Sequence, residues 1–323
     1  MSNFALQVDC EAAPVTARAD AGIAGAGILL AFIITGGLAL ILSAFIVLSE
    51  IRGKESRNMS RKVLSGLSDQ MIVEGIAIQV VGLARIYSTI PYHFFIIWML
   101  SLLSTATNFA ALLALVQDFK RDWVLRWLRQ FAMFVNMALG ITFGIFVLRT
   151  NIDNLAPTLP MACVWQEHQK DPEAQGNQTL SVIGTIVVIA VTCIVFVLGT
   201  WYLHLRKQIW SKTVRLISLV VLMGMAIGVT VRIILISQAL GGTPSVDLAD
   251  RGETDWTFGQ VLTMLLLILP FVSALEILRG QMQVPHADAY GHSDQMPLTE
   301  GDGAELKPVS DNRYTYQPNP LFR

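Results

Sequence analysis

The sequence predicts an all-α protein, a polytopic bundle of seven transmembrane helices with its N-terminus outside the cytosol and its C-terminus inside. Three observations predict it. Of the 323 residues, 53% are hydrophobic and only 15% are charged, where a soluble domain carries about a quarter charged residues. The apolar residues fall in long blocks with the charges between them. Lys and Arg crowd into alternate connections between those blocks. The formal net charge of −1 argues neither for nor against nucleic acid; no nucleic-acid partner is expected, and the lipid bilayer is the partner this composition requires.

The first 20 residues hold no apolar core of the signal-peptide kind. Residues 1–21 are therefore expected to form a short extracytosolic N-terminus, with the first span as an uncleaved anchor. About 20 mostly apolar residues cross a hydrocarbon layer of ~30 Å. Seven stretches meet that length: 22–48, 69–86, 92–116, 131–148, 180–202, 214–236 and 258–278. The second is the least apolar, because it carries Asp69, Glu74 and Gln79. None of the runs shows the strict alternation of a membrane strand. Together they predict a seven-helix domain over 22–278. The remainder, 279–323, is rich in Gly, Pro, Asp, Ser and Gln, and is expected to be a disordered cytosolic tail.

Loop charge sets the expected orientation. Arg52, Lys54, Arg57, Arg61 and Lys62 follow the first span. Lys120, Arg121, Arg126 and Arg129 follow the third, and Arg206, Lys207, Lys212 and Arg215 the fifth. The opposite side has Arg18, Arg149, Lys170 and Arg251, with Arg85 and Arg232 at span edges. The first set marks the cytosolic face. On the other face Asn177-Gln178-Thr179 is an N-glycosylation acceptor. Cys10 and Cys163 also fall there, where oxidation is permitted, and the sequence leaves open a disulfide or two free thiols. Cys193 reads as a small apolar residue within the fifth span. The long connection 149–179 is read as a solvated connector, with a lid over the outer mouth as the alternative. Tyr92, His93, Trp98, Trp123 and Trp127 suit the aromatic belts at the two interfaces.

Polar groups inside a span are costly and mark candidate sites. Glu74 is placed about five residues inside the cytosolic end of the second span, roughly 8 Å deep at ~1.5 Å per residue. Asn136 lies at similar depth in the fourth span, and Asn108, beside Ser104, Thr105 and Thr107, slightly deeper in the third. Gln70 and Glu74 are four apart and share a helix face. Two accounts of this layer stand side by side. One is interhelical hydrogen bonding that holds the bundle together, which suits Asn108 and Asn136 best. The other is a pocket for a lipophilic small molecule, with Gln70, Asn108, Asn136 and Arg232 lining it. In that account Glu74 is the catalytic acid and Asp69 sits near the entrance. Burial disfavours the charged form of a carboxyl group, and a neutral acid can protonate an alkene or epoxide to start a cyclisation.

No metal site and no cofactor are expected. The chain has no Gly-rich phosphate loop, no Cys-x-x-Cys, no His-Glu-x-x-His and no Gly-x-Ser-x-Gly. The spacing of Gly22, Gly25 and Gly27 reads as helix packing rather than a nucleotide site.

Three stretches carry a family resemblance. They are Ala19-Asp20 with Gly25-Ala26-Gly27, Leu67-Ser68-Asp69-Gln70 leading into Gly75-Ile76-Ala77, and Tyr92-His93-Phe94 followed by Ser104-Thr105-Ala106-Thr107-Asn108. Over roughly the first 120 residues the chain resembles seven-helix membrane proteins of filamentous fungi, some of them associated with secondary metabolism. The resemblance implies a membrane component of metabolite biosynthesis in the endoplasmic reticulum or plasma membrane, and it supplies no catalytic residue. Glu74 departs from the small or neutral residue expected there. Two other functions fit the same topology: a receptor-like sensor with cytosolic partners, and a non-catalytic transporter or scaffold. Against the sensor, Gln117-Asp118-Phe119-Lys120-Arg121 stands after the third span in place of an Asp-Arg-Tyr-type triplet. Against the transporter, no internal repeat is visible.

Overall fold

A computed structural model describes residues 10–53, 58–116, 118, 123–166, 178–204 and 211–283. Among these residues the protein is all-helical and forms no strand, with an isolated parallel bridge between Ala17 and Leu248. Seven helices are long and apolar enough to cross a membrane: Ala21–Ile51, Met59–Ala84, Pro91–Ala114, Arg126–Asp153, Ser181–Trp201, Thr213–Ile236 and Gly252–Ser273. The chain is thus built as a multi-pass integral membrane protein. The described residues up to 280 form one compact unit. The expected tail from 284 onward and the acceptor Asn177 lie outside the described residues.

The third span is the hub. Its whole apolar window is buried, and it packs against the first, second, fourth, fifth and sixth spans. Small residues make this possible at the middle of the helix: Ser101, Ser104, Thr105, Ala106, Ala110 and Ala111 let the surrounding backbones approach closely. The fifth and seventh spans show most of their apolar side chains to the outside. Val197, Trp201, Phe258 and Leu275 are among the exposed residues, as lipid-facing helices require.

Two spans are broken. The first bends at Gly25, whose extended ψ of 146° separates Ala21–Ala24 from Ala26–Ile51. Gln260 of the seventh span fills the break. Its Oε1 accepts from the Gly27 N–H at 2.9 Å, and its Nε2 donates to the carbonyls of Ala21 and Asp255. A Cβ on Gly25 would sit 2.1 Å from Gln260 Nε2 and one on Gly27 2.6 Å from Gln260 Cβ. Those glycines are therefore demanded by helix packing. The seventh span divides into Phe258–Leu266 and Leu269–Gln283, just ahead of Pro270, which has no N–H to return to the Leu266 carbonyl.

The second helix begins at Asn58, some ten residues before the expected 69. Hydropathy misses this first stretch because Arg61 and Lys62 interrupt it, yet the Arg61 charge finds partners at the end of the bundle. Arg61 pairs with Glu50 and, at 3.0 Å, with Asp118. Arg215 reaches Glu50 at 2.7 Å and donates to the Leu113 carbonyl at 2.8 Å. This end is the basic face. It is knitted by a network that joins the first, second and sixth spans and the residues just after the third.

The opposite end is the disulfide face. Cys10 and Cys163 are bonded across 153 residues of sequence. Ala17 exchanges backbone hydrogen bonds with Asp247 and Ala249, and Met161 N–H donates to the Thr89 carbonyl at 2.8 Å. Leu155, Leu159, Met161, Cys163 and Val164 are buried. Residues 155–165 therefore form a packed cap rather than the solvated connector expected, because this stretch carries enough apolar side chains to cover the helix ends. Residues 167–177 are outside the described set.

Candidate functional site

The polar layer assembles from three helices. Ser68 Oγ donates to Asn108 Oδ1 at 2.7 Å, and Asn108 Nδ2 donates to Ser104 Oγ at 3.2 Å. Ser104 Oγ in turn donates to the Met71 carbonyl at 2.7 Å. One turn further along, Gln79 Nε2 donates to the Gly75 carbonyl and to Asn136 Oδ1, both at 2.8 Å. Ser101 Oγ donates to Gln79 Oε1 at 3.1 Å, and Asn136 Nδ2 to Thr105 Oγ1 at 3.1 Å. Every one of these side chains is buried. Gly75 and Gly140 make room for them, since a Cβ at either would fall 2.6 or 2.7 Å from Ser104 Oγ or Ser101 Oγ. The arrangement welds the second, third and fourth spans. Interhelical hydrogen bonds average about 0.6 kcal/mol each in a membrane protein and reach about 1.7. Asn108 and Asn136 already have partners for their amides, so they hold the bundle and do not wait for a ligand.

Glu74 is outside this network. With the helix starting at Asn58, it lies about 15 residues from Met59, or roughly 22 Å along the axis. That is near the middle of the helix Met59–Ala84. Gln70 Nε2 donates to Glu74 Oε1 at 2.7 Å. The other carboxyl oxygen, Glu74 Oε2, and the amide oxygen, Gln70 Oε1, are buried and have no hydrogen-bond partner among the described residues. Unsatisfied buried polar atoms are uncommon and need an explanation.

The remaining expected site residues are dispersed. Asp69 lies five residues from Glu74 on a different helix face. It pairs with Arg129 at 2.6 Å, and Arg129 also donates to the Ser65 carbonyl. Its carboxylate is therefore engaged by Arg129. Arg232 is exposed near the end of the sixth span, among the exposed Val231, Ile234 and Leu235. It lies on the lipid side, where a long cationic side chain snorkels, and not in the layer with Asn108 and Asn136. A small cavity between the third, fourth and fifth spans is lined by Trp98, Ser101, Thr105, Gly140 and Thr192, with room for about one water. Among the described residues no group of three or more His, Cys, Asp or Glu is placed to hold a metal ion.

A second buried polar site lies at the disulfide face. Tyr92 Oη donates to Glu253 Oε2 at 2.9 Å, and His93 Nε2 bonds Glu253 Oε1 at 2.8 Å. The Gln238 N–H donates to Tyr92 Oη at 3.2 Å. Glu253 is fully buried and both rings nearly so. Tyr92 and His93 are thus not belt residues, and Trp98 is buried as well, whereas Trp127 is exposed as a belt residue should be. The aromatic pair caps the third span at its entry and clamps the short turn that leads into the seventh. Nothing local in sequence signals this pairing, since the partners are 161 residues apart.

No protein-family model matches the chain, and neither a curated protein nor a solved structure matches it.

Proposed function

We propose that the protein handles a lipophilic small molecule within the bilayer, with Glu74 as the group that acts on it. The carrying observation is the mid-span carboxyl whose Oε2 is buried and unpartnered beside a polar layer that is otherwise hydrogen-bonded. An ionisable residue inside a span is a functional lead by default, and among the described residues this one hydrogen-bonds only Gln70. The protein is a component of fungal secondary metabolism in this reading, which draws on the family resemblance of the first 120 residues. In its catalytic form the Glu74 carboxyl gives its proton to an alkene or epoxide of an isoprenoid-like substrate. The resulting cation closes a ring, and loss of a ring proton restores the acid. Replacing Glu74 with Gln in reconstituted membranes is expected to abolish product formation, and unchanged turnover refutes the acid.

The disulfide face is extracytosolic in this proposal and the basic face cytosolic, in the endoplasmic reticulum or plasma membrane. A disulfide requires an oxidising compartment, and loop lysines and arginines are retained in the cytosol, so both features support the same orientation. Asn177 is then a glycosylation acceptor on the outer side.

A receptor-like sensor is the second reading, favoured by the Glu50-centred ion pairs that tie the basic ends of three spans. Ion pairs that tie several helix ends are contacts that a signalling protein can break and re-form. Replacing Glu50 with Gln and measuring engagement of a cytosolic partner separates the two: a change there with turnover intact favours the sensor.

A further inference from the structure

The spare atoms at Gln70 and Glu74 specify what a ligand must offer. Glu74 Oε1 is occupied by the Gln70 amide, which leaves Oε2 as the free carboxyl oxygen and Gln70 Oε1 as the free amide acceptor. In its protonated form, which the proposal requires, the Glu74 carboxyl presents a donor as well as an acceptor. Its free oxygen then carries an O–H donor, one helical turn from a bare acceptor. A hydroxyl group matches this pair, because it accepts one hydrogen bond and donates another through a single atom. An ether, a ketone or a hydrocarbon cannot.

The surroundings set the rest of the ligand. Gly66, Gln70 and Glu74 recur at four-residue spacing on one face of the second span. At Gly66 that face meets the seventh span, with Pro270 Cβ 3.2 Å from where a Cβ would stand. Val73 and Val80 nearby are 67% and 51% exposed, so the seam beyond that contact is bordered by lipid-facing apolar residues. A molecule reaching it arrives from the membrane with a hydrocarbon body.

We propose that the Gln70–Glu74 pair binds the hydroxyl of a lipophilic alcohol that enters from the bilayer along the seam between the second and seventh spans. This rests on the reading that Glu74 serves a lipophilic molecule, and adds the recognised group. Glu74 donates to the hydroxyl oxygen and the hydroxyl donates to Gln70 Oε1.

The test uses the full chain in lipid nanodiscs and three photoreactive probes: a diazirine-bearing farnesol, its O-methyl ether and the matching hydrocarbon. Labelling is mapped by peptide. The alcohol is expected to label the second and seventh spans about fivefold more strongly than the ether, the worth of roughly one hydrogen bond. Gln70→Met, close in shape, should erase that preference, and Glu74→Gln, which keeps an N–H donor, should retain it. Equal labelling by alcohol and ether overturns the hydroxyl while leaving a lipophilic ligand in place. Persistence of the preference in Gln70→Met also overturns it. Absence of labelling by all three removes the underlying reading as well.

Discussion

Glu253 offers a direct measure of how firmly the disulfide face is held. Its two carboxyl oxygens are each assigned to a different partner, Tyr92 Oη at 2.9 Å and His93 Nε2 at 2.8 Å, and the group is fully buried. Glu253→Ala removes both acceptors at once and strands two buried polar groups. Leaving a buried donor unsatisfied costs about 1–3 kcal/mol, so the substitution is expected to destabilise the fold by roughly 2–6 kcal/mol. Glu253→Gln keeps the shape and one acceptor, and should cost about half as much. Tyr92→Phe removes a single hydroxyl and should cost about 1–2 kcal/mol. Because Tyr92 and Glu253 touch, the double variant must be non-additive, with a coupling of order 1 kcal/mol. Unfolding in mixed micelles titrated with denaturing detergent reads all four forms. A Glu253→Ala variant as stable as the parent, or strict additivity of the Tyr92 and Glu253 changes, refutes the reasoning.

Three further outcomes follow from the packing. Gly75→Leu drives side-chain atoms into Ser104 Oγ and Asn136 Oδ1, 2.6 and 2.9 Å from the new Cβ. It should cost at least the 1–3 kcal/mol typical of overpacking and lower folded yield, read by size-exclusion profile in detergent. Cys163→Ser opens the Cys10–Cys163 link and should reduce stability by about 2–4 kcal/mol, seen as a lower thermal midpoint that reducing agent does not lower further. Glu50→Gln weakens the pairs to Arg61 and Arg215. Cysteine-accessibility labelling at the start of the second and sixth spans should rise in that variant and stay unchanged in Asp118→Asn, whose carboxylate is half-exposed.

Much of the architecture was legible because hydrocarbon is a simple solvent. It asks for about 20 apolar residues per crossing, and the third span, expected at 92–116, is a helix over Pro91–Ala114. The second span shows where that logic weakens. Arg61 and Lys62 read as loop in a hydropathy window, yet they extend the helix to Asn58 because Glu50 and Asp118 receive Arg61 at the bundle's end. The polar layer was legible as a layer, since Asn108 and Asn136 are expensive in a span. Its wiring was not, because which amide meets which hydroxyl depends on helix rotation. Rotation also explains why Arg232 stands apart from that layer, exposed beside Val231, Ile234 and Leu235. The Tyr92–His93–Glu253 site lay beyond reach for another reason. A carboxylate in an acidic loop looks solvated until the chain folds it under a cap.

The central claim is that Glu74 is a neutral acid whose Oε2 is open to a ligand. Infrared difference spectroscopy of the reconstituted protein tests this directly, through the C=O stretch of a protonated carboxylic acid that disappears in Glu74→Gln. The account predicts that this band is present at neutral pH and shifts when farnesol is added to the membrane. A Glu74 band of ionised carboxylate type, or a protonated band that farnesol leaves unmoved, would contradict it.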